Sequence, residues 1–306
     1  MPGKLRIATG VALLAALPAS GWNRTGHMAT GAIAYDDLIR GSPATIARTV
    51  AILRQHPQYE SRWKPQVAGM SEQDQERFLF MLAARWPDDI RGDSAFDHPL
   101  WHYIDYPYKP RGQPASVAAL PPAVENIVMA FQQNVAVVQG PASDDQKAVA
   151  LCWIFHLMGD GHQPLHTAML FTTEFPEGDR GGNLFYVRTN RASAATENLH
   201  AYWDNLLGRE DEYGAARERA GALENAHPRA SLPEFADPHF EDWLRRESFP
   251  LAVSSVYRKG KLKVSTDPKH GTLLSPDYQA SALRVADRRV ALAGYRLADL
   301  LRTNFP

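Results

Sequence analysis

The segment Ser143–Asp160, S-D-D-Q-K-A-V-A-L-C-W-I-F-H-L-M-G-D, constrains this chain more than any other. A Ser143/Gln146 capping box opens a helix. Apolar positions over Asp144–Gly159 surround it almost completely, the pattern of a helix buried on all sides. The fold expected around it is all-α, a mainly helical single domain. That helix closes on His156 and Asp160, four residues apart and so on one face, where the pair can grip one ion. A buried helix is a rigid mount for such a pair.

Further donors recur along the chain in W22-N-R-T-G-H27, W86-P-D88, W101-H102-Y-I-D105, H156-L-M-G-D160-G-H162-Q-P-L-H166 and H200-A-Y-W-D204. Imidazole nitrogen and carboxylate oxygen are the usual donors for a borderline ion such as zinc, which typically takes four ligands. This chain has too many for one. His200/Asp204 is a second pair spaced by four, so at least two helical half-sites are expected, and Pro164 breaks regularity so that His166 can turn toward a different ion. A lone histidine is more often a hydrogen-bonded core residue than a ligand, and a single His/Asp pair is common on surfaces. Several such motifs in one chain are not explained that way.

Together these residues resemble the S1/P1 nuclease family, which shares its fold with the bacterial zinc-dependent phospholipases C. The matching residues are Trp22 with His27, W86-x-D88-x-x-R91, H102-Y-I-D105, H156-x-x-G-D160-x-x-Q-P-L-H166, G181-G-N183 and N198-L-H200-x-x-W203-D204. The resemblance implies three zinc ions in one cleft. One would be held by Asp88, His102, His156 and Asp160, a close neighbour by His27, Asp160 and the backbone amine and carbonyl of Trp22, and a third by His166, His200 and Asp204. Asp160 is then the bridge. Clustered zinc lowers the pKa of a water and orients a phosphoryl group for in-line attack, so Asp88, Asp160 and Arg91 become the catalytic candidates. Arg91 would contact a phosphate oxygen; on composition alone it serves equally well as an ion-pair partner of Asp89 or Asp93. Tyr103 and Asp105 lie on one side of an extended segment and are implied to stack and hydrogen-bond a nucleobase, with Asn183 closing the site. His162 is expected to support ligands rather than be one.

A metal-binding amine on Trp22 requires that residue to be the first of the mature protein. The upstream sequence agrees: Lys4 and Arg6, an uncharged run Ile7–Leu17, then the small residues of Pro18–Gly21 read as a signal peptide over 1–21, with the domain occupying 22–306. The run is too short to span a membrane, so a secreted or periplasmic location is expected. The mature length of about 285 residues suits one large core. Cys152 is the only cysteine, in an apolar context, which excludes an intramolecular disulfide and sets the chain apart from the disulfide-bearing fungal and plant members; it looks more like a bacterial one.

A formal net charge of −1 argues against a broad basic groove for duplex DNA. The expected substrates are single-stranded nucleic acid or nucleotides, cleaved to 5′-phosphorylated products by a monomer, with 3′-nucleotidase activity left open. Two alternatives stand beside this. A zinc-dependent phospholipase C would use the same metals, but the Trp22–His27 spacing and the aspartate at 204 match the nuclease branch. A zinc-binding protein without enzyme activity would favour cysteine ligands, which are nearly absent.

Elsewhere the pattern predicts helices over Pro121–Gln139, Asn198–Leu207 and Asp277–Leu301, the arginines of the last forming a solvated face. Glu174–Tyr186 reads as a loop or minor hairpin, and the alternating stretch Arg258–Val264 as a small strand.

Overall fold

The computed structural model describes residues 21–192 and 195–305. All of the expected leader except Gly21 lies outside the described residues. Helices dominate: α1 (Arg24–Ile39), α2 (Pro43–Leu53), α3 (Glu72–Asp89), α4 (Ile127–Gln139), α5 (Asp144–Asp160), α6 (Leu199–Asp204), α7 (Tyr213–Ala226) and α8 (Pro276–Asn304). No helix among the described residues is long and apolar enough to cross a membrane.

The helix α5 is the buried centre that its sequence implies. Its capping box is formed, with the Ser143 backbone N–H donating to Gln146 Oε1 at 3.2 Å, and every residue from Ala150 to Asp160 is buried. Packing comes from α3 and α4, with α1, α2 and α8 completing the sleeve. A second shared axis is α1, which lies against α3, α7 and α8. Its approach to α3 is close enough to require glycine: a β-carbon on Gly31 would come 2.5 Å from the Phe80 carbonyl oxygen.

Among the described residues there are five very short strands. β1 (Tyr106–Tyr108) runs parallel to β2 (Ala168–Leu170), while β3 (Tyr186–Arg188) is flanked by antiparallel β4 (Glu197–Asn198) and parallel β5 (Thr272–Leu273). They frame a smaller apolar cluster around Leu165, Phe185, Trp203, Tyr257 and Tyr278.

Three expectations need correction. The fourth helix starts at Ile127 rather than Pro121, because Asn126 is the stronger start: its side-chain oxygen accepts from Val128 N at 2.9 Å and Met129 N at 3.3 Å, whereas prolines lack donors and push the preceding residue out of helical space. Arg258–Val264 is not a strand. Arg258 and Lys259 take positive φ values of 51° and 57°, which turn the chain tightly, and β3 takes β5 as its neighbour instead. Finally, Arg289 and Arg296 of α8 are buried, not solvated, and both ion-pair with Glu247.

Candidate metal centre

Asp160 ends α5 and stands fully buried at the middle of the polar cluster. Its two oxygens face different groups. Oδ2 lies 3.0 Å from His102 Nδ1 and 3.1 Å from His156 Nε2; Oδ1 lies 3.3 Å from His27 Nε2 and 3.7 Å from His166 Nδ1. Asp88, near the end of α3, approaches from the half-buried side, with Oδ1 3.8 Å from His156 Nε2 and Oδ2 3.9 Å from His27 Nε2. Burial opposes ionisation of Asp160, yet His156, His166 and the hydrogen bonds from His102 and His156 hold its carboxyl well below the usual range.

The third group is separate. His166 follows the turn made by Gly161–Leu165, and His200 and Asp204 lie one turn apart on α6, which Asn198 caps by accepting from Ala201 N at 2.7 Å. His200 Nε2 is 3.4 Å from Asp204 Oδ2 and 3.1 Å from His166 Nε2. Burial, with Asp160 and Asp88 adding to it against donation from Gln163, pushes the Asp204 carboxyl well above its normal value.

Donor orientation fits metal ions. His156 Nδ1 meets the Ala84 carbonyl at 2.8 Å, His166 Nδ1 the His102 carbonyl at 2.6 Å, and His200 Nδ1 the Gly181 carbonyl at 2.6 Å. A carbonyl only accepts, so each Nδ1 carries a proton and each ring turns its Nε2 inward, the arrangement that orients metal-ligating histidines. His166 Nε2 and His200 Nε2, 3.1 Å apart, repel as lone pairs unless a cation or proton lies between them. Neither nitrogen of His27, nor His102 Nε2, nor Asp160 Oδ1 has a hydrogen-bond partner although all are buried. Three sets of donor atoms each close to within 4.8 Å: His27/His156/Asp160, Asp88/His102/His156 and His166/His200/Asp204. The third coincides with the set implied by sequence. His156 is common to the first two, while Asp160 faces both through its separate oxygens.

The N-terminal side of the cluster is main chain. A β-carbon on Gly21 would fall 1.6 Å from Asp160 Oδ1 and 3.1 Å from His27 Nε2, so only backbone fits there. Trp22 itself is buried, and the next residue ties the segment to the third group, Asn23 N donating to the Asp204 carbonyl at 3.2 Å.

Around the donors, Arg91 reaches Asp88 Oδ1 with Nη2 at 2.9 Å and Nε at 3.2 Å, in place of the Asp89 or Asp93 pairing that composition allows; Asp89 is held by Arg24 and Arg85. Tyr103 and Asp105 are both half-buried with buried Ile104 between them, as residues sharing one side of an extended segment should be. Burial and the nearby Asp179 raise the Asp105 carboxyl to about 7. Asn183 is half-buried and donates to the Arg180 carbonyl at 2.8 Å. His162 belongs to none of the three donor sets: its Nδ1 donates to the Met158 carbonyl at 2.7 Å and its Nε2 sits 2.9 Å from the Arg296 guanidinium.

Two supporting residues escaped the sequence reading. Gln163 Nε2 donates to Asp204 Oδ1 at 2.7 Å, joining the turn after Asp160 to the third group. Asp179, fully buried, accepts from Leu170 N at 2.9 Å and from the Tyr257 hydroxyl at 2.7 Å. Gln163 belongs to a quoted motif but was given no role there, and Asp179 stands just before another; their long-range partners carry no local signature.

Comparison with known proteins agrees with this architecture. The profile of the family described as S1/P1 Nuclease matches residues 22–306. Endonuclease 5 of Arabidopsis thaliana is 31% identical over 169 residues and Endonuclease 4 of the same plant 29% over 161, each match covering 51% of this chain. The chain spans about half the length of these relatives, 51% and 50% respectively. Endonuclease 1 of Arabidopsis thaliana is 24% identical over 328 residues, covering 99% of this chain and 93% of that protein. With a family match running from the residue beside the Gly21 cradle through the last helix, the chain belongs to the S1/P1 nuclease family.

Proposed function

We propose that this chain is a zinc-dependent phosphodiesterase that hydrolyses single-stranded DNA or RNA to 5′-phosphorylated products, with 3′-nucleotide hydrolysis as a second activity of the same site. The observation that carries the reading is Asp160, whose two carboxylate oxygens face separate sets of buried, inward-turned imidazoles. Asp88, His102, His156 and Asp160 would hold one zinc, His27, Asp160 and the Trp22 main chain a second, and His166, His200 and Asp204 a third. The ions would supply Lewis acidity that activates water and neutralises charge on the phosphoryl group.

The chain's own residues do the rest. Arg91, now on Asp88, presents a planar fork suited to a phosphate oxygen and would hold the scissile group. Tyr103 offers a ring on which a base can stack, and Asp105 beside it a carboxyl for the base's exocyclic groups. Asn183 would donate across the opposite side. We also read Met1–Gly21 as a leader that directs export to the periplasm or outside the cell and is removed before Trp22, which frees the Trp22 amine; the backbone-only space beside Asp160 is in keeping with main chain as a ligand there.

One experiment separates the readings. Mature protein supplied with zinc is assayed on single-stranded DNA, RNA, a 3′-mononucleotide and phosphatidylcholine. Cleavage of the nucleic acids with 5′-phosphate ends supports the proposal; turnover of phosphatidylcholine alone, or no hydrolysis of any substrate by zinc-loaded protein, overturns it.

A further inference from the structure

Arg180 has a φ of +55°, in the left-handed region that L side chains rarely adopt, and glycines follow at 181 and 182. A third glycine at 180 would relax the turn. Instead the turn is held by its neighbours. At one end Asp179 is fixed by Leu170 N and the Tyr257 hydroxyl; at the other, Asn183 donates to the Arg180 carbonyl through both N, at 3.2 Å, and Nδ2, at 2.8 Å. The Gly181 carbonyl between them holds His200 Nδ1 at 2.6 Å. The turn is thus anchored to the third donor group.

The side chain projects from this rigid base with nothing to do within the fold. It is exposed and has no carboxylate partner among the described residues. The turn stands beside the Tyr103 segment: Asp179 accepts from Leu170 N of β2, whose partner strand β1 begins just after Asp105, and Ile104 N donates to the His166 carbonyl at 2.8 Å. Arg91 sits on Asp88 at the donor cluster, whereas Arg180 is uncommitted. A residue kept in a strained conformation that glycine would relieve points to a task for the side chain, and a guanidinium fork matches a phosphate.

We propose that Arg180 binds the backbone phosphate of the nucleotide next to the one seated on Tyr103, so that the site favours strands over single nucleotides. This rests on the nuclease reading given above. The phosphate contact would add to affinity without reading sequence.

The test measures binding of a short, fluorescent, cleavage-resistant phosphorothioate oligothymidylate to zinc-loaded protein at several salt concentrations, for the parent, Arg180→Gly and Arg180→Lys, with melting midpoints recorded alongside. Loss of one phosphate contact on a single strand lowers the slope of log affinity against log salt by about 0.7. Arg180→Gly should lose about that much slope, bind about tenfold more weakly at low salt and melt no lower than the parent, since the backbone strain is gone. Arg180→Lys keeps the charge and should keep the slope. An unchanged slope in Arg180→Gly overturns the proposal, and so does a slope loss accompanied by a lower melting midpoint, which would mark the side chain as a structural prop. A parent protein that binds no single strand overturns the nuclease reading and this role with it, whereas a parent that binds with a slope Arg180→Gly leaves intact removes Arg180 alone.

Discussion

Asp160 concentrates the chemistry of the cluster in one side chain, and its replacement tests the arrangement at the scale of a residue. Because its oxygens face two donor groups, Asp160→Ala should release two zinc ions together, while His200→Ala should release one. Elemental analysis of the purified variants decides it; loss of a single ion in Asp160→Ala would contradict the bridge. Asp105 supports a second prediction through its raised carboxyl, at about 7 in the fold against an ordinary 3.8. Below about 4 both folded and unfolded chains hold that proton. Between about 4 and 7 only the folded chain does, so the stabilisation it represents is fully present at low pH and is lost as pH rises through the folded value. Asp105→Asn carries no proton to lose. Its melting midpoint, compared with the parent at matched zinc, should therefore gain on the parent from pH 4 to 7 and stay ahead above it; a constant difference across that range would mean that Asp105 titrates normally.

At the scale of elements, the turn between α5 and His166 is held from behind by α8. Arg289 Nε donates to the His162 carbonyl at 3.3 Å, Arg296 reaches His162 Nε2 at 2.9 Å, and Ser248, itself bonded by Arg289 at 2.9 Å, donates to the Gly161 carbonyl at 2.6 Å. Glu247 neutralises both arginines. Removing it leaves two buried cations unpaired, and breaking a buried pair in this way costs about 3–5 kcal/mol; the partial exposure of Glu247 puts the expectation for Glu247→Ala near the lower end of that range, with Glu247→Gln recovering part of it. Urea unfolding measures the difference, and a change under about 1 kcal/mol would show that solvent already screens the cluster. None of this was legible beforehand. The spacing of α8 reveals its apolar stripe, but Arg289 and Arg296 read as solvated because their partner lies more than forty residues upstream in a segment of irregular helical turns.

For the whole molecule, three aspartates and five histidines from α1, α3, α5, α6 and the connecting turns converge on one volume, so ion binding should be linked to folding. A chelator is expected to lower the melting midpoint in step with zinc loss, since a site saturated a thousandfold above its dissociation constant contributes about 4 kcal/mol; a midpoint indifferent to chelation would separate the metals from stability. By itself, the sequence determined the buried central helix, the capping box at Ser143, the helical class and the two His/Asp pairs spaced by four, because hydrophobic periodicity, capping chemistry and ligand spacing are local properties carried within a turn or two of chain; the other donors were implied by the family resemblance. Tertiary structure alone decided that Arg91 rests on Asp88, that Asp179 raises the Asp105 carboxyl, that Gln163 holds Asp204 and that two arginines of α8 are buried, because each depends on burial and charge brought together from distant segments, and neither quantity exists until the chain has packed.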